Sequence, residues 1–526
     1  MLHDSIGTAK MAVSAAIVGV LLVVFVLYRQ AFPRPFWGIP YNATSAKQFW
    51  GDTTALFDTI KITQDPAKFI FQQNRNLGSP VIQMFLAPFS NPTVIIDDIR
   101  EVKDILSNRT LEFDRAPRTQ DAYRALLPHC SLVKQTGAAF KNQRRFWEGV
   151  TSTPFLKRIA EPKIVRCALE LIELFKAQAA TANGRPFECF HNFDVAAFEV
   201  IWEVVFGEEG GAINSAREDV LRARQTSSQP ESLDSPAVLP AIEKPEMCKS
   251  VAFFITQIAK SLKSVAQTWH LWLLQNQPEY KRRLAFKRNK INRLIENTHL
   301  RLRNLPEKDL KELNESSALV LGVRRHILAD IGQGKPADSP LSPLAREEIH
   351  DELFMLLVAG HETKAVLLSW AVKFLFAYPE KQEKLRQALL NALPIPPGSK
   401  TPPIESINGT SIPYLQAYME ESMRVANTSP RLVRQTTATT SVLGHSIPKG
   451  TTVILNPYIG TEPLDISENL RSETSQKAKD SFQSYWDPTG MDDFVPERWL
   501  TEDGSFNPRQ FPRLAFSAGP RMCYGT

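Results

Sequence analysis

Near the end of this chain a cysteine stands in a run suited to holding a thiolate: Phe516-Ser517-Ala518-Gly519-Pro520-Arg521-Met522-Cys523-Tyr524-Gly525. A metal-ligating thiolate must be deprotonated at neutral pH, so it needs backbone N–H groups aimed at the sulfur and positive charge close by. Gly519 and Gly525 let the backbone bend sharply and approach a flat ligand, because a residue without Cβ tolerates conformations that others do not. Arg521 can pair with a carboxylate of that ligand, and Phe516 can pack beside the sulfur. A second run, Ala359-Gly360-His361-Glu362-Thr363, places a glycine and polar side chains inside an apolar stretch. Mid-helix glycine costs about 1 kcal/mol relative to alanine, and a buried glutamate is expensive without a partner, so something must offset both. A third pair, Glu421 and Arg424, stands three residues apart. An exposed pair of this kind is worth only about 0.2–0.5 kcal/mol, so its order in the chain is what makes it informative.

The elements that must position these residues can be read from pattern. Ser342-Pro343 is a helix start, and apolar residues recur at helical spacing from Ile349 to Phe376 until Pro379 stops them. That predicts a helix about 50 Å long with Gly360 to Thr363 in its middle. Tyr414 to Val425 reads as a helix with Pro413 at its start. Alternating apolar segments at Pro80 to Leu86 and Thr93 to Ile96, around Pro88-Phe89-Ser90-Asn91-Pro92, predict a β-hairpin, followed by a helix near Ile99 to Leu106. From Ala160 to Leu302 the pattern is mostly helical, with a long loop from Thr226 to Pro245. Ile447-Pro448-Lys449-Gly450-Thr451 reads as hairpin-like, and Thr461 to Tyr485 as a polar surface insertion.

Length alone, at 526 residues, allows several domains or one large one, and 43% hydrophobic with 22% charged residues describes a globular chain with ample core. The net charge of +6 is not gathered into a tail, which excludes a nucleic-acid partner of that kind. The densest cluster, Lys281-Arg282-Arg283 with Lys287, Arg288, Lys290 and Arg293, has the spacing of a solvated helix face, with an acidic membrane surface as the second reading. Cys130, Cys167, Cys189 and Cys248 show no metal-type spacing, and an odd total suits a reducing compartment. Met11 to Tyr28 is free of charge for 18 residues, about 27 Å as a helix, and reads as a membrane anchor rather than a cleaved signal peptide. Arg29 and Arg34 follow it, against a lone Lys10 before it, which places the body in the cytosol. Pro33, Pro35 and Pro40 stiffen the linker.

Phe516-x-x-Gly519-x-Arg521-x-Cys523-x-Gly525 resembles the cysteine loop of the cytochrome P450 haem-thiolate monooxygenases at every fixed position. Ala359 to Thr363 is similar to that family's Ala/Gly-Gly-x-Asp/Glu-Thr, Glu421-x-x-Arg424 to its Glu-x-x-Arg, and Pro496-Glu497-Arg498-Trp499 to its Pro-Glu-Arg-Phe/Trp. Phe140 to Arg144 stands where the family carries Trp-x-x-x-Arg, with phenylalanine replacing tryptophan. A basic helix start is the other reading of that stretch.

The resemblance implies a mainly α fold with small β-sheets: an anchor at 1–30, a proline-containing linker at 31–45 and a catalytic domain at 46–526. It implies haem b with Cys523 as axial ligand and with Arg144 and Arg434 as propionate partners. Gly360 would make room for dioxygen, Thr363 would hydrogen-bond it at the iron, Glu362 would help deliver protons, and His361 would be a spacer. Lys364 departs from the usual Thr or Ser. Glu421, Arg424 and Arg498 would form a buried charge triad. The implied activity is insertion of one oxygen atom into a lipophilic small molecule, with electrons from NADPH-cytochrome P450 reductase. The implied place is the endoplasmic reticulum membrane, single-pass, with the catalytic domain cytosolic. Two rivals are a haem-thiolate isomerase or dehydratase, and an anchored protein without stably bound haem. The family continues beyond the point where this chain stops, three residues past Cys523, so the sequence looks truncated.

Overall fold

The computed structural model describes residues 17–26, 28–224, 228–264, 266–398, 402–458, 464, 466–479, 490–511 and 514–525. Two compact units are present. One comprises Met1–Ala116, Ser429–Thr489 and Ser517–Arg521; the other comprises Pro117–Thr428, Gly490–Phe516 and Met522–Thr526.

The first unit is organised on a five-stranded sheet. The expected hairpin forms: β1 (Val81–Met84) runs antiparallel to β2 (Thr93–Ile96), with Val81 opposite Ile96. With β3 (Phe113–Asp114), β4 (Leu432–Thr436) and β7 (Thr452–Leu455), the sheet order is β1-β2-β7-β4-β3. β2 and β7 are parallel, and the other pairs are antiparallel. The expected half-buried alternation gives way to burial of every residue in β1 and β2. On one face Ile82, Met84 and Ile95 meet Ile70 and Phe71 of α1 (Pro66–Asn76). On the other, Gln83 donates its amide to the carbonyls of Phe36 and Ile39 and accepts from the Phe36 N–H, which fastens the proline linker to β1.

One sequence expectation is corrected in this unit. β6 (His445–Ile447) pairs with β5 (Thr440–Val442) and not with β7, so Pro448 to Thr451 carries the chain from a two-stranded sheet into the larger one. The segment read as a surface insertion is tied down where it is described. Arg471 grips Asp98 with both Nη atoms at 2.9 and 3.0 Å, and Arg100 of α2 (Ile99–Ser107) grips Glu468 at 2.8 and 2.9 Å. Most of the segment's described residues are exposed or half-buried, in keeping with a surface segment; the rest of it, and residues 1–16 and 27 of the expected anchor, lie outside the described residues.

The second unit is helical: α3 (Ala138–Trp147), α4 (Glu161–Ala182), α5 (Phe190–Phe206), α6 (Glu246–Lys263), α7 (Pro278–Leu302), α8 (Pro343–Ala377) and α9 (Pro413–Ala426). Residues 228–245 carry no helix or strand, as the break in pattern predicts. The 35-residue α8 starts where expected, with the Ser342 hydroxyl accepting from the Ala345 N–H at 3.1 Å and Pro343 in its first turn. Among the described residues it is the helix long and apolar enough to cross a membrane. Its Ile349, Leu353, Phe354 and Leu357 are nevertheless fully buried in the core of this unit.

The basic face of α7 is not wholly solvated, because Lys287 is buried. Its ammonium donates to the Leu126 carbonyl at 3.2 Å and lies 4.7 Å from the centre of the Phe354 ring. Burial pushes it down to about 8, the Asp351 carboxylate opposing. A lysine whose folded value lies below its unfolded one costs stability at neutral pH, and that cost is relieved as pH rises from 8 towards 10.5. Lys287→Met should therefore be the more stable protein at pH 7, by on the order of a few kcal/mol. Denaturant unfolding should show that advantage shrinking between pH 8 and 10.5; a difference independent of pH would refute the assignment.

Candidate active site

In the first unit, Gly519 has φ +67°, and a Cβ there would fall 2.1 Å from the Leu106 carbonyl oxygen and 2.8 Å from Ser107 Cα. The glycine thus permits close approach to the end of α2, where a flat ligand was the expected neighbour. The 3-10 turn Gly519–Arg521 follows, and Arg521 is buried with Nη2 3.5 Å from Asp114 Oδ1. Arg434, on β4, is also buried and donates to the Val433 carbonyl at 3.0 Å. Burial, then the charges of Arg115 and Arg521, push Arg434 down to about 9 against the pull of Asp114. Two buried guanidiniums, Arg434 and Arg521, repel each other in a low-dielectric setting, where nearby negative charge is stabilising. The two carboxylates of a porphyrin supply charge of that sign, so these residues fit the group.

In the second unit, the Cys523 N–H donates to the Phe516 carbonyl at 3.0 Å, and the Gly525 N–H points at the Cys523 sulfur from 3.4 Å. That is the amide-to-sulfur contact the loop was expected to make. Gly525 does not need positive φ for it, so its conformational freedom is not in use. Cys523 itself is exposed. Arg144, expected to reach a propionate, lies with its guanidinium carbon 4.3 Å from the centre of the Tyr524 ring, which anchors the residue next to the cysteine. Phe140, at the tryptophan position of the expected motif, is buried in the same helix.

On α8, Ala359, Glu362, Thr363 and Lys364 are all exposed, so Glu362 is not the buried carboxylate that the apolar pattern implied. The Thr363 hydroxyl donates to the Ala359 carbonyl one turn back at 2.8 Å. Lys364 brings this segment to the cysteine loop, its ammonium 5.9 Å from the centre of the Phe516 ring. Gly360 has a packing duty as well: a Cβ there would lie 2.6 Å from Ile201 Cδ1, so glycine lets α5 and α8 touch. His361 is no spacer. It is buried, with Nε2 2.8 Å from Asp194 Oδ1 and 3.0 Å from the Asp194 carbonyl.

The triad assembles around Glu421, which is fully buried. Arg424 donates to both of its oxygens at 2.8 Å, and Arg498 Nε donates at 3.1 Å. Two donors escaped the sequence reading, the Trp499 indole N–H at 2.9 Å and the Val495 N–H at 2.9 Å. Trp499 had its signal in plain view, as the fourth residue of Pro496-Glu497-Arg498-Trp499.

Two measurements check these placements. Glu421→Ala leaves two buried guanidiniums facing each other and should cost about 3–5 kcal/mol in urea unfolding. Gly519→Ala combines left-handed strain with a clash against backbone that cannot rotate away, and should cost about 2–5 kcal/mol. A near-wild-type midpoint for the alanine variant would refute the close approach of the Gly519 turn to α2.

The family model for cytochrome P450 matches residues 55–461. A cytochrome P450 monooxygenase of Pestalotiopsis microspora is 30% identical over 100% of this chain and 91% of its own length. One from Fusarium sporotrichioides is 26% identical over 96% of this chain and 89% of its own, and one from Penicillium rubens 28% identical over 96% and 86%. With a family match over most of its length and full-length similarity to these enzymes, the chain belongs to the cytochrome P450 family and is an enzyme of the P450 monooxygenase class.

Proposed function

We propose that this enzyme inserts one oxygen atom from dioxygen into a lipophilic small molecule, taking its electrons from an NADPH-dependent reductase, with haem b held by Cys523. The observation that carries this reading is the Cys523 sulfur faced by the Gly525 amide, on a loop that Phe516 joins to the Lys364 side of α8. When bound, haem supplies the activation of dioxygen. The residues of the chain do the rest. Cys523 would give its thiolate to the iron, and the Gly525 N–H would temper the charge on the sulfur. Arg434 and Arg521 would hold the carboxylates of a porphyrin. Arg144 steadies Tyr524 and, through it, the residue that carries the sulfur. Glu362 is exposed on the same stretch of α8. The adjacent Thr363 hydroxyl now spends its proton on the Ala359 carbonyl, and one χ1 rotation releases it to donate outward. Gly360 keeps α8 close enough to α5 for this face to stay where it is.

The described part of the N-terminal segment supports an endoplasmic reticulum anchor with a cytosolic body. The helix Ile17–Ala31 presents Ile17, Leu21, Leu22 and Phe25 outward, each more than half exposed, as a lipid-facing helix does. The intact Glu362–Thr363 pair favours oxygen insertion over rearrangement of a peroxide without a reductase.

The reduced, CO-bound spectrum tests the ligand. The wild-type protein should show the red-shifted Soret band of thiolate-bound iron, and Cys523→Ser should lose it; persistence of that band in the serine variant would end the assignment. Thr363→Ala should keep the band while peroxide released per NADPH consumed rises several-fold in the presence of the reductase.

A further inference from the structure

The buried histidine of the α8 signature is held by a chain of charged groups that no part of the reaction described above requires. Asp194, on α5, is buried and uses its two carboxylate oxygens for different partners. Oδ1 lies 2.8 Å from His361 Nε2, and Oδ2 lies 2.5 Å from Lys244 Nζ. Lys244 closes the irregular stretch 228–245, just before α6, with its side chain partly in solvent. Around His361 the contact is apolar: the Phe198 ring stands edge-on at 5.4 Å, Ile201 fills the space beside Gly360, and Ala365 is fully buried against Phe193 and Ala197.

We propose that Asp194 and Lys244 are positioning residues that set the rotation of α8 through His361, and with it the direction in which Glu362 and Thr363 point. This rests on the oxygen-handling role given to those two residues above. The argument is helical geometry. Successive residues step by about 100° around the axis, so with His361 turned to α5, Glu362 and Thr363 face away from it. A slip by one residue would carry Glu362 to the buried face. Apolar contacts such as Ile201 against Gly360 or Ala365 against Ala197 oppose such a slip weakly, because methyl groups accept many neighbours. A hydrogen bond from a buried imidazole to a buried carboxylate has one direction. Lys244 completes the device by meeting the second oxygen, so that the carboxylate is not left with half its charge unanswered in the interior. Against the effect of burial, His361 and Lys244 hold Asp194 at about 2.

Cys248 lies with Asp194 and His361 in a set whose ligand atoms all fall within 4.8 Å of one another, a spacing suited to a divalent cation. The Lys244 ammonium already occupies the carboxylate face such an ion would need, which is why the cluster reads as a lock on α8.

The test uses the haem-loaded full chain, with Asp194→Asn, His361→Gln and the milder, partly exposed Lys244→Met. All three should retain the red-shifted CO band of the wild type. Amide hydrogen exchange over residues 357–366 should quicken several-fold in Asp194→Asn and His361→Gln and no further in the double variant, with a smaller change in Lys244→Met. Peroxide per NADPH should rise in parallel, and adding Thr363→Ala to Asp194→Asn should raise it no more. Unchanged exchange and peroxide yield, with the CO band intact, would overturn the positioning role while leaving the thiolate assignment standing. A wild-type protein with no such band would sink the function, yet the exchange data would still report the lock. Titration of the Cys523→Ser protein with Co2+ closes the remaining alternative. A thiolate-to-cobalt absorption that disappears when Cys248→Ser is added would replace the lock with a cation site.

Discussion

One carboxylate, that of Glu421, governs the second unit. Five donors converge on its two oxygens: two from Arg424, and one each from Arg498, Trp499 and the Val495 backbone. A lone charge in such a place would be costly, and only a full set of charge-assisted bonds can hold it there. The donors come from α9 and from residues 495–499, so satisfying Glu421 fastens that stretch to a helix far from it in sequence. Arg424 reaches further still, donating to the carbonyls of Met491 and Asp493. The chain leaving this knot runs on towards the cysteine, and its starting point is fixed by the knot.

Charge gathers in the first unit as well, where Arg521 pairs with Asp114 and buried Arg434 feels the repulsion of Arg115 and Arg521 against the pull of Asp114. Around Glu421 the charges are matched from within the chain, and the result is a structural fixture. Around Arg434 like charges crowd together in the interior, where a carboxylate-bearing guest would be stabilised. Asp194 lies between these cases, matched on both oxygens but by groups on a helix and at the end of an irregular segment.

The sequence disclosed those parts of the molecule whose signals are local. Ser342-Pro343 capped α8 as read, Pro413 opened α9, and the likeness of Glu421-x-x-Arg424 and Pro496 to Trp499 to a known family's motifs implied the triad. What stayed hidden depends on partners distant in the chain. His361 and Asp194 are 167 residues apart, and a histidine in an apolar helix carries no mark of its partner. Lys287 sat in a basic run with helical period, and period alone does not tell which side of a helix meets Phe354. Gly519 and Gly360 were singled out for a ligand, and the chain itself adds a demand for their small size, from Leu106 and Ile201. The Ile447 to Thr451 turn looked like a hairpin because Pro and Gly mark a reversal without saying which strand waits on the far side.

The pairing of β2 with β7 has a further consequence, for the order in which the molecule can be made. Val94 to Ile96 align with Val453 to Leu455, and Asp97 meets Asn456 across 359 residues of chain. At translation speeds of about 5–20 residues per second, the first partner waits on the order of a minute or less for the second to be synthesised. During that interval β1 and β2 exist as a bare apolar ribbon beside the ribosome, shielded at best by α1. A nascent chain of this design has reason to engage a chaperone early, and its long-range sheet must be among the last parts to close.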